Sequence, residues 1–130
     1  VLPRLGVTEL TALYETSDLG LALHKDREDF RRSIPNKIDE YLGMELPLVA
    51  GVGGLIAQLI DSEGVGIRYL PGDSASLASK VMSLAKSSQE LSHLKTKVRI
   101  YKKKTESDDQ IGLYADHLEH VVSHYHGNAQ

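Results

Sequence analysis

The chain has 130 residues, of which 41% are hydrophobic and 25% charged, enough for one compact domain with a modest core and far from the compositions of disordered or membrane-embedded chains. A formal net charge of −3, with basic residues scattered apart from Lys102, Lys103 and Lys104, lacks the electrostatic footprint of a nucleic-acid-binding protein, so neither DNA nor RNA is an expected partner. The absence of cysteine excludes disulfides, thiolate metal sites and cysteine nucleophiles. With no signal-peptide pattern at residues 1–5, a cytoplasmic location is expected.

In chain order, short apolar runs alternate with segments of helical period, which predicts a single α/β domain over residues 1–130 built on a parallel sheet. A first helix is expected from about Thr8, as its N-cap, to Thr16, followed by a buried strand over residues 19–23. Residues 24–33, charged and without apolar period, read as a loop at that strand's carboxyl end, where α/β sheets take their ligands. Pro35 is expected to open the next helix, which reaches Leu42 and stops at Gly43, before a strand over residues 46–50. Gly51-Val52-Gly53-Gly54 then leads into a short helix with Leu55, Ile56, Leu59 and Ile60 on one side, Gly64 after its end, and a strand over residues 66–70. Asp73, after Pro71-Gly72, is placed to cap a helix bearing Leu77, Val81 and Leu84, which Ser87-Ser88 interrupts. Another helix runs to about Lys103. Beyond a polar break, Ile111, Tyr114, Leu118, Val121, Val122 and Tyr125 mark the stripe of a last helix, making a C-terminal helical tail.

Residues 34–41 (IPNKIDEY) sit where a strand crosses into a helix, and the free N–H groups and dipole of a helix start favour a phosphate. Lys37, in the first turn, can reach back as a point charge for a diphosphate. Glu40, one turn on, offers a carboxylate that can accept both hydroxyls of a ribose. Helix logic alone favours the plainer alternative, in which both are solvated surface residues. Gly53-Gly54 either lets backbone pass close to a ligand or makes a tight strand-to-helix turn.

Taken together, Leu10 to Leu23, Pro35-Asn36-Lys37 with Glu40-Tyr41, Pro47-Leu48-Val49-Ala50, Gly53-Gly54 and Pro71-Gly72-Asp73 resemble, in order and spacing, the C-terminal donor-binding domain of retaining GT-B glycosyltransferases of the group 1, family 4-like type. The resemblance runs over about residues 1–85. It implies a Rossmann-like parallel sheet flanked by helices, here partial, and transfer of a glycosyl unit from a nucleotide-diphosphate sugar to an acceptor with retained anomeric configuration. By resemblance, Glu40 is the second of the family's paired glutamates and meets the nucleotide ribose, Lys37 faces the diphosphate with Asn36 beside it, and Ser33, Pro35, Gly53 and Gly54 complete the donor-binding set.

Eight positions before Glu40 the strict motif has a glutamate, and this chain has Arg32; it is nearer to the branch with Pro-Ser-Lys, Asn36 replacing the serine. Glu28 substitutes for that glutamate only if the loop rearranges. The family's acceptor-binding half is N-terminal and is the expected partner, and the resemblance puts the donor domain's first strand-helix-strand unit, which brings basic residues to the diphosphate, before Val1. The chain by itself is therefore expected to be inactive, with no catalytic residue assigned and no cofactor beyond the nucleotide sugar as substrate.

Other signals are plainer. His117, His120 and His124 share a helical face at metal-ligand spacing but lack a carboxylate shell, so no metal is expected. His24, at a strand end, either reaches a donor phosphate or is an ordinary loop residue. Lys102 to Lys104 can meet an anionic membrane surface, though three adjacent lysines are more commonly a solvated helix end. The alternatives to an enzyme are non-catalytic α/β modules. One is receiver-like, needing an acidic cluster at strand ends where this chain has His24-Lys25, flanked by Asp18 and Asp26, and Gly51-Val52. The other is an assembly domain that dimerises through an exposed sheet edge.

Overall fold

The structure, a computed structural model, describes residues 3–107. Its elements are α1 (Val7–Glu15), β1 (Gly20–Ala22), α2 (Glu28–Arg31), α3 (Asn36–Gly43), β2 (Leu48–Ala50), α4 (Leu55–Glu63), β3 (Gly66–Arg68), α5 (Ser74–Lys86) and α6 (Ser88–Ser107). The strands form one parallel sheet in the order β1-β2-β3, with Leu21 opposite Val49 and Val49 opposite Ile67. The chain is thus α/β, a small parallel sheet between helices, as its alternating pattern predicts.

The central strand explains the layers. Side chains alternate along a strand, so Leu48 and Ala50 face one side of β2 and Val49 the other, and all three are wholly buried. On the first side they join Ile38 and Leu42 of α3, Ile56 and Ile60 of α4, and Val98 of α6. On the second, Val49 packs with Leu84 of α5 and Leu94 of α6, flanked by Ile67, Leu77 and Val81. Fully burying each such aliphatic side chain contributes about 1.5–3 kcal/mol.

Leu94 and Val98, one turn apart, belong to opposite faces of the sheet, so α6 crosses its end. Ion pairs show which end. Lys95 bonds Asp18 just before β1 (2.8 Å), Arg99 bonds Glu45 before β2 (2.8 Å), and Lys104 bonds Glu63 before β3 (2.9 Å). One acid precedes each strand, and α6 runs past all three at the amino ends. The carboxyl ends lie opposite.

The expected boundaries need several corrections. α1 starts at Val7, not after Thr8: the Gly6 N–H donates to the Glu9 carboxylate at 2.9 Å, which anchors the helix start two residues earlier. β1 is half-buried rather than buried, because the described helices cover only one of its faces; Leu21 and, just after the strand, Leu23 on the other are 41% and 57% exposed. Residues 24–33 contain the single-turn helix α2, too short to show a period. Pro35 is the N-cap of α3 and Asn36 its first residue. α3 also ends without a glycine in the left-handed position. Gly43 is still helical, and Glu45 (φ 60°) takes that conformation, with Leu46 N–H bonded to Tyr41 C=O and Glu45 N–H to Leu42 C=O. The remaining cap expectations match: Gly64 (φ 68°) closes α4, and the Asp73 carboxylate accepts the Ser76 N–H at 2.9 Å. The stripe from Ile111 to Tyr125 lies outside the described residues.

Because the core and not the ion pairs supplies the stability, Ile56→Ala is expected to destabilise the fold by about 2–5 kcal/mol. Lys95→Ala, whose partner Asp18 is well exposed, is expected to cost less than about 1 kcal/mol. Urea denaturation of the two variants tests this ordering, and a Lys95→Ala loss as large as that of Ile56→Ala would contradict it.

Candidate functional site

With α6 at the amino ends, the segments leaving the carboxyl ends of β1 and β2 are free to build a site. They meet at Gly53. Asp26, after β1, directs its carboxylate at the turn after β2 and accepts the Gly53 N–H at 3.0 Å. Arg31, at the end of α2, holds the same carboxylate with both arms of its guanidinium, Nε at 2.7 Å and a terminal nitrogen at 2.6 Å. This fork geometry is the strong form of the pair. It draws the Asp26 carboxyl down to about 2, chiefly through Arg31 and then through the Gly53 N–H, with Arg68 at the end of β3 adding a through-space pull.

The glycines fit this contact. Gly54, the N-cap of α4, has φ 70° and ψ −136°, a conformation that side-chain-bearing residues rarely adopt, and a Cβ there would run into the backbone carbonyl of Arg31. A Cβ on Gly53 would lie 3.4 Å from the Asp26 carboxylate. The pair thus makes a strand-to-helix turn free of a Cβ clash, against the backbone of the chain's own α2.

The second cluster is on α3. Glu40 accepts a hydrogen bond from the Tyr14 hydroxyl of α1 at 2.9 Å. Burial, and then this bond, push the Tyr14 hydroxyl up to about 12, so it remains a donor across the physiological range. The Tyr14 ring meets Tyr41 edge-on, 5.8 Å between centroids at 79°, and Tyr41 lies beneath Gly20, where any Cβ would strike its ring. Lys37 leans along the helix, its Nζ 5.8 Å from the Tyr41 ring centroid, rather than back over the helix start. Pro35 leaves the α3 N-terminus without a side-chain cap, and Asn36 and Lys37 of its first turn are exposed. Between α1 and α3 runs a groove of about 440 Å³ walled by Val7, Leu10, Tyr14 and Met44, with Glu40 on its rim.

Of the residues singled out in the sequence, Lys37 and Glu40 come together on α3, Gly53 and Gly54 lie at the β2 turn, and Ser33, Pro35 and Asn36 form the link between them. Ser33 itself donates to the Asp29 carbonyl at 3.1 Å. Arg32 pairs with Glu28 at 2.6 Å, both side chains well exposed. His24 meets Phe30 with tilted rings at 4.9 Å, its Nδ1 buried with no hydrogen-bond partner among the described residues. Tyr14, Asp26 and Arg31 escaped the sequence-level selection: Tyr14 and Glu40 are 26 residues apart, Asp26 and Gly53 are 27 apart, and no local spacing links them.

Among the described residues no group of three or more His, Asp or Glu is placed to hold a metal, and no helix is long and apolar enough to cross a membrane. His117, His120 and His124 lie outside those residues. Compared with family models, curated proteins and solved structures, the chain matches none.

A carboxyl whose folded value is depressed stabilises the fold above its unfolded value and loses that contribution as pH falls through the folded one. For Asp26 the clamp is therefore intact above pH 3.8 and is lost as pH falls through about 2. Carbon-detected NMR of the Asp26 carboxyl is expected to give a midpoint near 2. A midpoint at the ordinary 3.8 would mean that Arg31 and Gly53 do not hold it.

Proposed function

We propose that the chain is the donor-binding part of a retaining GT-B glycosyltransferase and holds a nucleotide-diphosphate sugar along α3. The observation that carries this reading is the position of Glu40. Its carboxylate stands beside an apolar-walled groove of about 440 Å³ and, among the described residues, is tied only by the exposed bond from the Tyr14 hydroxyl. An aromatic base and its ribose need this combination of apolar wall and acceptor at the edge, and a carboxylate has lone pairs for a vicinal diol beyond the one Tyr14 uses.

The uncapped α3 N-terminus and Lys37 supply the charge for the diphosphate. Lys37 is exposed, and its contact with the Tyr41 ring is at the outer limit of a cation–π distance. Swinging the ammonium to a phosphate therefore loses little and gains a charge-assisted hydrogen bond. On this reading the chain contributes donor binding, and transfer requires an acceptor-binding domain across the crevice. Its partners are the nucleotide sugar and that domain, its place is the cytoplasm, and its process is polysaccharide or glycoconjugate synthesis.

A second reading has one observation in its favour. Leu21 and Leu23 are exposed on the uncovered face of the edge strand β1, which suits an assembly module that dimerises there. A receiver-like switch is disfavoured, because Asp26 at the strand ends is neutralised by Arg31.

The test is an NMR titration of the amides with uridine and guanosine diphosphates. Shifts are expected over residues 7–14 and 33–40. Lys37→Ala is expected to weaken the diphosphates by about 10- to 100-fold while leaving uridine unchanged, and Glu40→Gln to reduce the preference for ribose over deoxyribose. Shifts confined to other regions, or unchanged affinity in both variants, would overturn the assignment.

A further inference from the structure

Asp26 and Arg31 have no part in the donor site just described, yet they make the most fully bonded polar contact at the carboxyl ends of the strands. The Asp26 carboxylate has the surroundings of a bound anion: the Gly53 N–H at the start of α4, the two-armed Arg31 guanidinium, and the positive field of Arg68. It is delivered there by residues 24–31. The glycine at position 54 accommodates the backbone of that segment, since a Cβ would run into the Arg31 carbonyl.

We propose that residues 24–31 form a self-latch, in which the Asp26 carboxylate occupies a seat for a phosphoryl group on the Gly53–Gly54 turn and is exchanged for that group when a nucleoside diphosphate binds. This rests on the donor-binding reading and adds to it a second phosphate contact, Arg31, and a competitor for it, Asp26. Exchange conserves the bonding. A phosphoryl oxygen accepts the same Gly53 N–H, and a guanidinium matches phosphate with the same two-armed geometry it uses for carboxylate.

Two further observations fit a latch that opens. The closed segment leaves His24 Nδ1 buried without a partner among the described residues, a defect that opening repairs by admitting water. The segment is also short: α2 is a single turn with no fully buried residue, resting on the core through half-buried Phe30, and its ion pairs other than the clamp, Arg27 with Asp29 and Arg32 with Glu28, are mutual and exposed. Ser33 and the α3 N-terminus follow directly, so movement of α2 carries into the link between the Gly53–Gly54 turn and Lys37.

Affinities of the chain for uridine diphosphate, inorganic diphosphate and uridine test the proposal. Asp26→Asn keeps the shape but gives up the charge, and is expected to bind both diphosphates about tenfold more tightly than the wild type, with uridine unchanged. The gain is expected to vanish in the Asp26→Asn, Arg31→Ala double variant. In the wild type, the Gly53 amide and the Arg31 Nε–H resonances are expected to move together as uridine diphosphate saturates, a readout that needs no variant. If those two resonances stay fixed at saturation, or if Asp26→Asn gains nothing while binding still maps to residues 33–40, the latch is refuted and the donor reading stands. If neither protein binds uridine diphosphate, the donor reading falls and the latch with it.

Discussion

The burial of β2 on both faces is the constraint on which the rest of the structure depends. Leu48, Val49 and Ala50 are wholly shielded from water, so a three-residue strand must find helices above and below it. α3 and α4 cover one face and α5 the other, and α6 closes the amino end because its Leu94 and Val98 are needed in both cores. The acids Asp18, Glu45 and Glu63, one before each strand, set the line that α6 follows. Exposed pairs of this kind add little energy, and their part is to select one path for a helix whose apolar contacts are few.

With one end closed, polar chemistry concentrates at the other. The segment after β1 reaches the turn after β2, and the two meet through a carboxylate, a guanidinium and a backbone N–H, all satisfied by one another. α3, which leaves this same segment, carries Lys37 and Glu40 away from the crossover toward α1. The two clusters are thus joined through residues 31–36, which is why the proposed donor site and the proposed latch are mechanically connected rather than merely neighbours. Tyr14 and Tyr41 stiffen the α1 side of this arrangement by their edge-on contact.

What the sequence reveals follows the range of the interaction involved. The parallel sheet, the helices over residues 36–43, 55–63 and 74–86, the Asp73 cap and the Gly64 stop all rest on periods or on neighbours within four residues, and they are legible. α2 is not, since one turn carries no period, and neither is Glu45 in the left-handed position, because the adjacent Gly43 is the residue that local rules prefer there. Leu21 reads as core from its composition and is exposed, because none of the described helices covers that face of β1, which no local pattern records. At the site, Lys37 and Glu40 are found from helix spacing and resemblance. Tyr14 matters through a partner 26 residues away, and Asp26 through Gly53, 27 residues away, as well as through nearby Arg31; a tyrosine in an apolar stripe or an acid beside an arginine in a charged loop carries no mark of the distant contact.

The central claim, that a nucleotide lies along α3 with its base in the groove against α1, is tested most directly by intermolecular NOEs from uridine diphosphate bound to the chain. Contacts from the base and ribose protons to the side chains of Leu10, Tyr14 and Met44 are the predicted result. Contacts instead to Tyr101 and Thr105, which line the separate groove between α3 and α6, would contradict it.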